Sequence, residues 1–148
     1  MNLEKYEIIQ GPGDSYYEFY SEGPKGRIKK IVRFTLLSEY EDNFYNLFLG
    51  DWLESEGRAS DTSVSDNKDP EKILATVASI VVHFMASKPQ AAIFAQGSTP
   101  SRTRLYQIGI TAYIREIDKD FDIHGFREDK WERFQKNKRY EAFLLRRK

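Results

Sequence analysis

The chain has 148 residues, 40% of them hydrophobic and 14% aromatic, with 23 Lys+Arg balanced by 23 Asp+Glu and no cysteine. That much apolar surface supports an independent core and excludes wholesale disorder, while zero net charge excludes a polyanion binder held by bulk positive charge. The lack of cysteine excludes disulfide scaffolds, thiolate zinc sites and cysteine nucleophiles.

The elements follow in chain order. Residues 6–9 read as a short strand ending at the turn cluster Gly11-Pro12-Gly13-Asp14. Residues 16–21 form an aromatic-rich strand, and Gly23-Pro24-Lys25-Gly26 makes a tight connection. In the next strand Ile28, Val32, Phe34 and Leu36 share one face, interrupted by Lys30, and Lys29, Arg33 and Thr35 share the other. A polar connection over 38–43 leads to a fourth strand over 44–52. Four strands with short turns predict an antiparallel meander, because parallel neighbours need long crossovers. Residues 53–69 are polar and acidic, and a loop of this length is usually functional or mobile.

Asp69-Pro70-Glu71 then predicts a helix start, with Asp69 as N-cap, and Ile73, Val77, Ile80, Val81 and Phe84 repeat at helical spacing up to the stop at Lys88-Pro89. Residues 91–95 form a short apolar strand, and Gly97-Ser98-Thr99-Pro100 opens a second helix. Leu105, Ile108, Ala112 and Ile117 mark one of its faces and Ile110 and Ile114 another, which predicts cover on two sides. Residues 121–124, 131–134 and 140–145 read as strands. The fold class is therefore α+β: an antiparallel sheet, built from a four-strand N-terminal meander plus C-terminal strands, packed with two helices in one domain over 1–148. The N-terminus lacks a charged segment followed by an apolar run, and no stretch approaches 18 apolar residues, so a soluble, cytoplasmic protein without membrane contact is expected.

Chemical content concentrates at residues 97–104. A helix N-terminus presents unpaired backbone N–H groups and the positive end of the macrodipole. Gly97 permits close approach, Ser98, Thr99, Ser101 and Thr103 carry hydroxyls, and Arg102 and Arg104 can grip an oxyanion bidentately. Cations in a first helical turn oppose the dipole, and a docked anion would explain them. A plain N-cap with internal salt bridges accounts for the same residues equally well. The segment is neither a Walker loop nor a dinucleotide fingerprint.

Charge is also segregated. Lys25, Arg27, Lys29, Lys30 and Arg33 occur without an intervening acid, residues 136–148 form a second basic strip, and 51–71 an acidic one. Basic strands interleaved with Tyr and Phe suit a single-stranded nucleic-acid groove; lysines guarding an edge strand are the blander reading. No catalytic constellation emerges. His83 and His124 are isolated, and Asp61, Asp66, Asn67 and Asp69 offer oxygen ligands without the spacing of a metal loop. No metal and no cofactor are expected.

Three segments, Gly23-Pro24-Lys25-Gly26-x-Ile28-x-Lys30-x-Val32-x-Phe34, Asn46-Leu47-Phe48-Leu49-Gly50-Asp51 and Gly97-Ser98-Thr99-x-x-Arg102-Thr103-Arg104-Leu105-Tyr106, resemble a bacterial family of unknown function, a likeness that covers nearly the whole chain and implies no activity. A looser likeness, to single-stranded-DNA-binding transcriptional regulators of the Whirly type, stops after the first helix. The reading is a non-enzymatic module for an anionic partner, nucleic acid or a phosphate-bearing small molecule. Ser98, Thr99 and backbone amides would cradle a phosphate, Arg102 and Arg104 neutralise it, Tyr106 stack or pack nearby, and Lys29, Lys30 and Arg33 extend the track. The competing classes are a phosphoester- or nucleotide-processing enzyme and a protein-interaction module or homodimer.

Overall fold

The computed structural model describes residues 4–37, 43–60 and 67–148. The connection at 38–42 and the candidate ligands Asp61 and Asp66 lie outside them. Among the described residues nine strands form one sheet: β1 (Ile9–Gln10), β2 (Tyr16–Gly23), β3 (Gly26–Leu36), β4 (Phe44–Leu53), β5 (Arg58–Ser60), β6 (Ala92–Ala95), β7 (Phe121–Arg127), β8 (Lys130–Arg133) and β9 (Ala142–Arg147), with α1 (Pro70–Ser87) and α2 (Pro100–Asp120) between them. The order across the sheet is β1-β2-β3-β4-β6-β9-β7-β8, and β5 pairs with β4. The α+β class holds, and β1 to β4 form an antiparallel meander whose first strand is only Ile9–Gln10, not the expected 6–9. Against the expected structureless 53–69 loop, residues 58–60 return along β4 as a strand.

One pairing has no local signature. β6 runs parallel to β4, with Phe44 opposite Ala92 and Leu47 opposite Ala95. The 18-residue α1 supplies the crossover that a parallel neighbour requires. On the same edge of β4, residues 44–47 meet β6 and 51–53 meet β5. Residues 48–50 are left as a gap between the two partners.

Both helices pack on one face of the sheet. Tyr17, Phe19, Val32, Phe34, Leu47 and Leu49 meet Ile73, Val77, Ile80 and Phe84 there, all buried. Phe34 and Phe84 stack at 3.9 Å between ring centroids. α2 departs from the expected two-sided cover. Its buried residues are Thr103, Tyr106, Gln107, Gly109 and Tyr113, whereas Ile108 is 51% exposed. The fully buried part of the stripe that meets the core thus consists of residues an aliphatic count passes over, with the partly buried Leu105, Ile110 and Ile117 packed beside them. Gln107 takes part because its side chain donates to the Lys138 carbonyl and accepts from the Tyr140 amide at 3.0 Å, clamping the approach to β9.

Asp69 stands at the N-cap position of α1 but makes no side-chain cap bond. Its Oδ2 instead accepts from the Tyr6 and Ser21 hydroxyls, each at 2.5 Å. Buried Asn67 donates from Nδ2 to Ser21 Oγ and the Gly26 carbonyl and accepts from the Lys25 amide at 2.7 Å. These bonds tie the β2–β3 turn to the foot of α1. Among the described residues no helix is long and apolar enough to cross a membrane.

Candidate functional site

The turn before α2 is built from short-range bonds. Thr99 is the N-cap, its hydroxyl accepting from the Arg102 amide at 3.2 Å. Gly97 lies against the first helical turn so closely that a Cβ would come within 2.3 Å of the Thr103 amide nitrogen. Thr103 is buried, and its hydroxyl accepts from the Gly97 amide at 3.0 Å while facing the Thr99 carbonyl at 3.3 Å. Arg102 is half-buried and donates from Nη1 to the Leu49 carbonyl, in the gap on the β4 edge. Tyr106 is 7% exposed and belongs to the core, so it packs and does not stack on a surface ligand. Ser98, Ser101 and Arg104 are exposed, and Arg104 forms no ion pair with a described residue.

The three β3 cations of the expected track, Lys29, Lys30 and Arg33, part company. Because side chains alternate across a strand, Lys30 points to the helix face, aligned with Phe19 and Asp51. There it is 4% exposed, with Nζ 2.5 Å from Asp51 Oδ1, and does not extend a surface track. Lys29 and Arg33 point to the opposite face. β3 is flanked by β2 and β4, so its cations do not guard an edge. Nor are they continuous with Arg102 and Arg104, which ride on α2 in the helix layer.

That opposite face, over which no described element lies, carries an organised layer of rings and cations. The register aligns Tyr16, Arg33 and Phe48 in one row and Glu18, Ile31 and Gly50 in the next. Three β3 cations sit over rings: Arg27 over Tyr20 at 3.9 Å, Arg33 over Phe48 at 4.3 Å and Lys29 over Trp52 at 5.4 Å. Lys29 also pairs with Glu18 at 3.3 Å, and Arg27 lies 4.0 Å from Glu22. Burial pushes the Tyr16 phenol above its ordinary value, with the Glu18 carboxylate adding to it. Ile31 is buried in the middle, so the layer is packed as well as charged. The rings continue across the sheet, from Phe44 to Phe94 at 6.2 Å, Phe94 to Trp131 at 6.2 Å and Trp131 to Phe126 at 5.2 Å. Sequence reasoning identified Lys29 and Arg33 but missed Trp52, Phe94 and Trp131. Period-2 alternation within β4 was the available signal for Trp52; none joins Phe94 to Trp131.

His83 is exposed and its Nδ1 meets the Tyr17 hydroxyl at 3.0 Å, while His124 lies half-buried opposite Arg133 and Leu144. Among the described residues no group of three or more His, Asp or Glu side chains is arranged to hold a metal ion.

The fold and this surface define a small α+β protein with one sheet face covered by helices and the other lined with rings and cations. The chain belongs to a family of unknown function, DUF6934, whose model matches residues 2–148. No curated protein and no solved structure matches it.

Proposed function

We propose that the chain is a non-enzymatic binding module for an anionic partner, and that the partner is single-stranded nucleic acid held on the sheet face opposite the helices. The observation that carries the reading is the seating of Arg27, Lys29 and Arg33 over Tyr20, Trp52 and Phe48. Single strands are bound by rings on which bases stack and by cations that follow the phosphates, and both occur here on a packed, uncovered surface. Glu18 and Glu22 already neutralise part of this charge, so binding is weak, with Kd on the order of 10 μM at physiological salt. A second reading places a small phosphate-bearing ligand at residues 97–104, favoured by the exposure of Ser101 and Arg104 beside the α2 N-terminus.

Fluorescence anisotropy with a labelled oligothymidylate at low salt separates the two readings. The sheet-face reading expects Trp52→Ala and Lys29→Ala to weaken binding and the pair Arg102→Gln with Arg104→Gln to leave it unchanged. Loss confined to the arginine pair would move the site to the turn. No binding to any oligonucleotide would overturn the nucleic-acid reading.

A further inference from the structure

A second concave surface lies on the helix side, away from the ring-and-cation face. α1 and α2 touch where Gly109 meets Leu74; a Cβ on Gly109 would stand 3.0 Å from both Leu74 methyl carbons. From that contact they part. α1 continues over β2 to β4, with His83 against Tyr17 and Phe84 against Phe34 and Tyr45. α2 ends at Asp120 and runs directly into β7, which lies beyond β6 and β9 from β4. The helices therefore open as a V with the sheet as its floor. The cleft has a volume of about 250 Å³, with Leu47, Ile93 and Phe143 in its floor, Ala78 and Val82 on the α1 wall and Ile117 on the α2 wall. Val82 is 50% exposed although it lies on an apolar wall.

The cleft has a polar rim of one sign. Tyr113, Glu116 and Asp120 follow one another at helical spacing on α2 and all line it, whereas no Lys or Arg is among its lining residues. Tyr113 is 8% exposed, and its hydroxyl has no hydrogen-bond partner among the described residues. Burial, reinforced by Glu71 and Glu116, raises the phenol above its ordinary value, so near neutral pH the hydroxyl stays protonated.

We infer that this cleft binds a small amphiphile, an alkyl chain or fused ring of about eight to ten heavy atoms with a cationic head, the apolar body lying between Ala78, Val82 and Ile117 and the head meeting Tyr113, Glu116 and Asp120. The volume corresponds to roughly eight waters at ~30 Å³ each, enough for such a body. A flat partner surface would leave the floor unfilled. Apolar burial supplies the affinity, and the carboxylates and the unpartnered hydroxyl set the preference for a cation.

The test uses the full chain and decylammonium, below its micellar concentration, against decanoate as the anionic twin, followed by calorimetry. Saturable decylammonium binding is expected, with decanoate much weaker. Ala78→Trp, which fills the cleft, should weaken decylammonium at least tenfold. Glu116→Gln with Asp120→Asn should weaken it by about two- to fivefold and narrow the gap to decanoate. If Ala78→Trp fails to fold, methyl NMR of the unmodified protein replaces it, with decylammonium shifting Val82, Ile93, Ile110 and Ile117 and leaving Ile28 and Ile31 unmoved. Equal binding of both twins, no saturable binding, or shifts spread over the molecule would overturn the proposal. So would a dimer in sedimentation velocity that Val82→Lys abolishes, which would give the cleft to a second copy.

Discussion

Lys30 and Asp51 are both almost fully buried and 2.5 Å apart, a placement that makes each dependent on the other. Removing one partner breaks this ion pair in a poorly solvated place, so Lys30→Met or Asp51→Leu should each destabilise by about 3–5 kcal/mol. The double replacement should cost less than either single change, because two apolar side chains of similar volume need no solvation. Urea unfolding of the three variants checks this; additive costs would show that the two groups act separately. Gly97 is constrained sterically: Gly97→Ala puts a methyl 2.3 Å from the Thr103 nitrogen, which forces the turn away from α2. The expected cost is ~1–3 kcal/mol in the same measurement. An unchanged midpoint would mean that the turn yields freely.

Among the elements, β8 is the terminal strand on its side of the sheet and depends on a few side chains. The ring of Tyr140 lies flat on Gly125 of β7, where a Cβ would stand 2.3 Å from Cδ1. The Tyr140 hydroxyl donates to Glu132 at 2.8 Å and accepts from the Gln135 amide at 3.0 Å. Gly125→Val should expel this ring and lower hydrogen-exchange protection over Lys130–Arg133 while leaving β2 to β4 protected; uniform loss of protection would contradict this account. The sequence pattern showed the meander, both helix starts and all three C-terminal strands, because alternation, Pro at the first helical turn and Gly clusters are local signals. It did not show the parallel β4–β6 pairing, which joins strands through an 18-residue helix. Nor did it show the buried stripe of α2, whose Thr103, Gln107 and Gly109 carry no apolar periodicity. Asp69 was legible as the N-cap residue of α1, and the Gly97-Ser98-Thr99-Pro100 opening of α2 without a choice between Ser98 and Thr99. That the Asp69 carboxylate serves Tyr6 and Ser21 instead of capping was not legible, because both lie far away in sequence.

For the molecule as a whole, burial first of all holds the phenols of Tyr6, Tyr17, Tyr113 and Tyr140 above their ordinary value of 10.0. The unfolded chain therefore releases these protons at lower pH than the folded one, and stability present below pH 10 is lost as pH rises through and beyond it. The melting temperature should fall above pH 10, and tyrosinate absorbance should develop at higher pH in the folded than in the unfolded chain; full ionisation near pH 10 with the melt unchanged would contradict it. The candidate site was half legible at this scale. The alternation of β3 separated Lys29 and Arg33 from its apolar positions and left Lys30 as the interruption, but the partner of Lys30 and the rings from β4, β6, β7 and β8 come together only through tertiary register. The central claim, that single strands lie on this face, is tested most directly by the salt dependence of oligothymidylate binding in the unmodified protein and Lys29→Ala. Three phosphate contacts, at Arg27, Lys29 and Arg33, give a slope of about −2 in log K against log salt, reduced by ~0.7 on removing Lys29. Trp52→Ala should weaken binding by about 1–3 kcal/mol with the slope intact. A slope near zero, or one that Lys29→Ala leaves unchanged, would contradict the account.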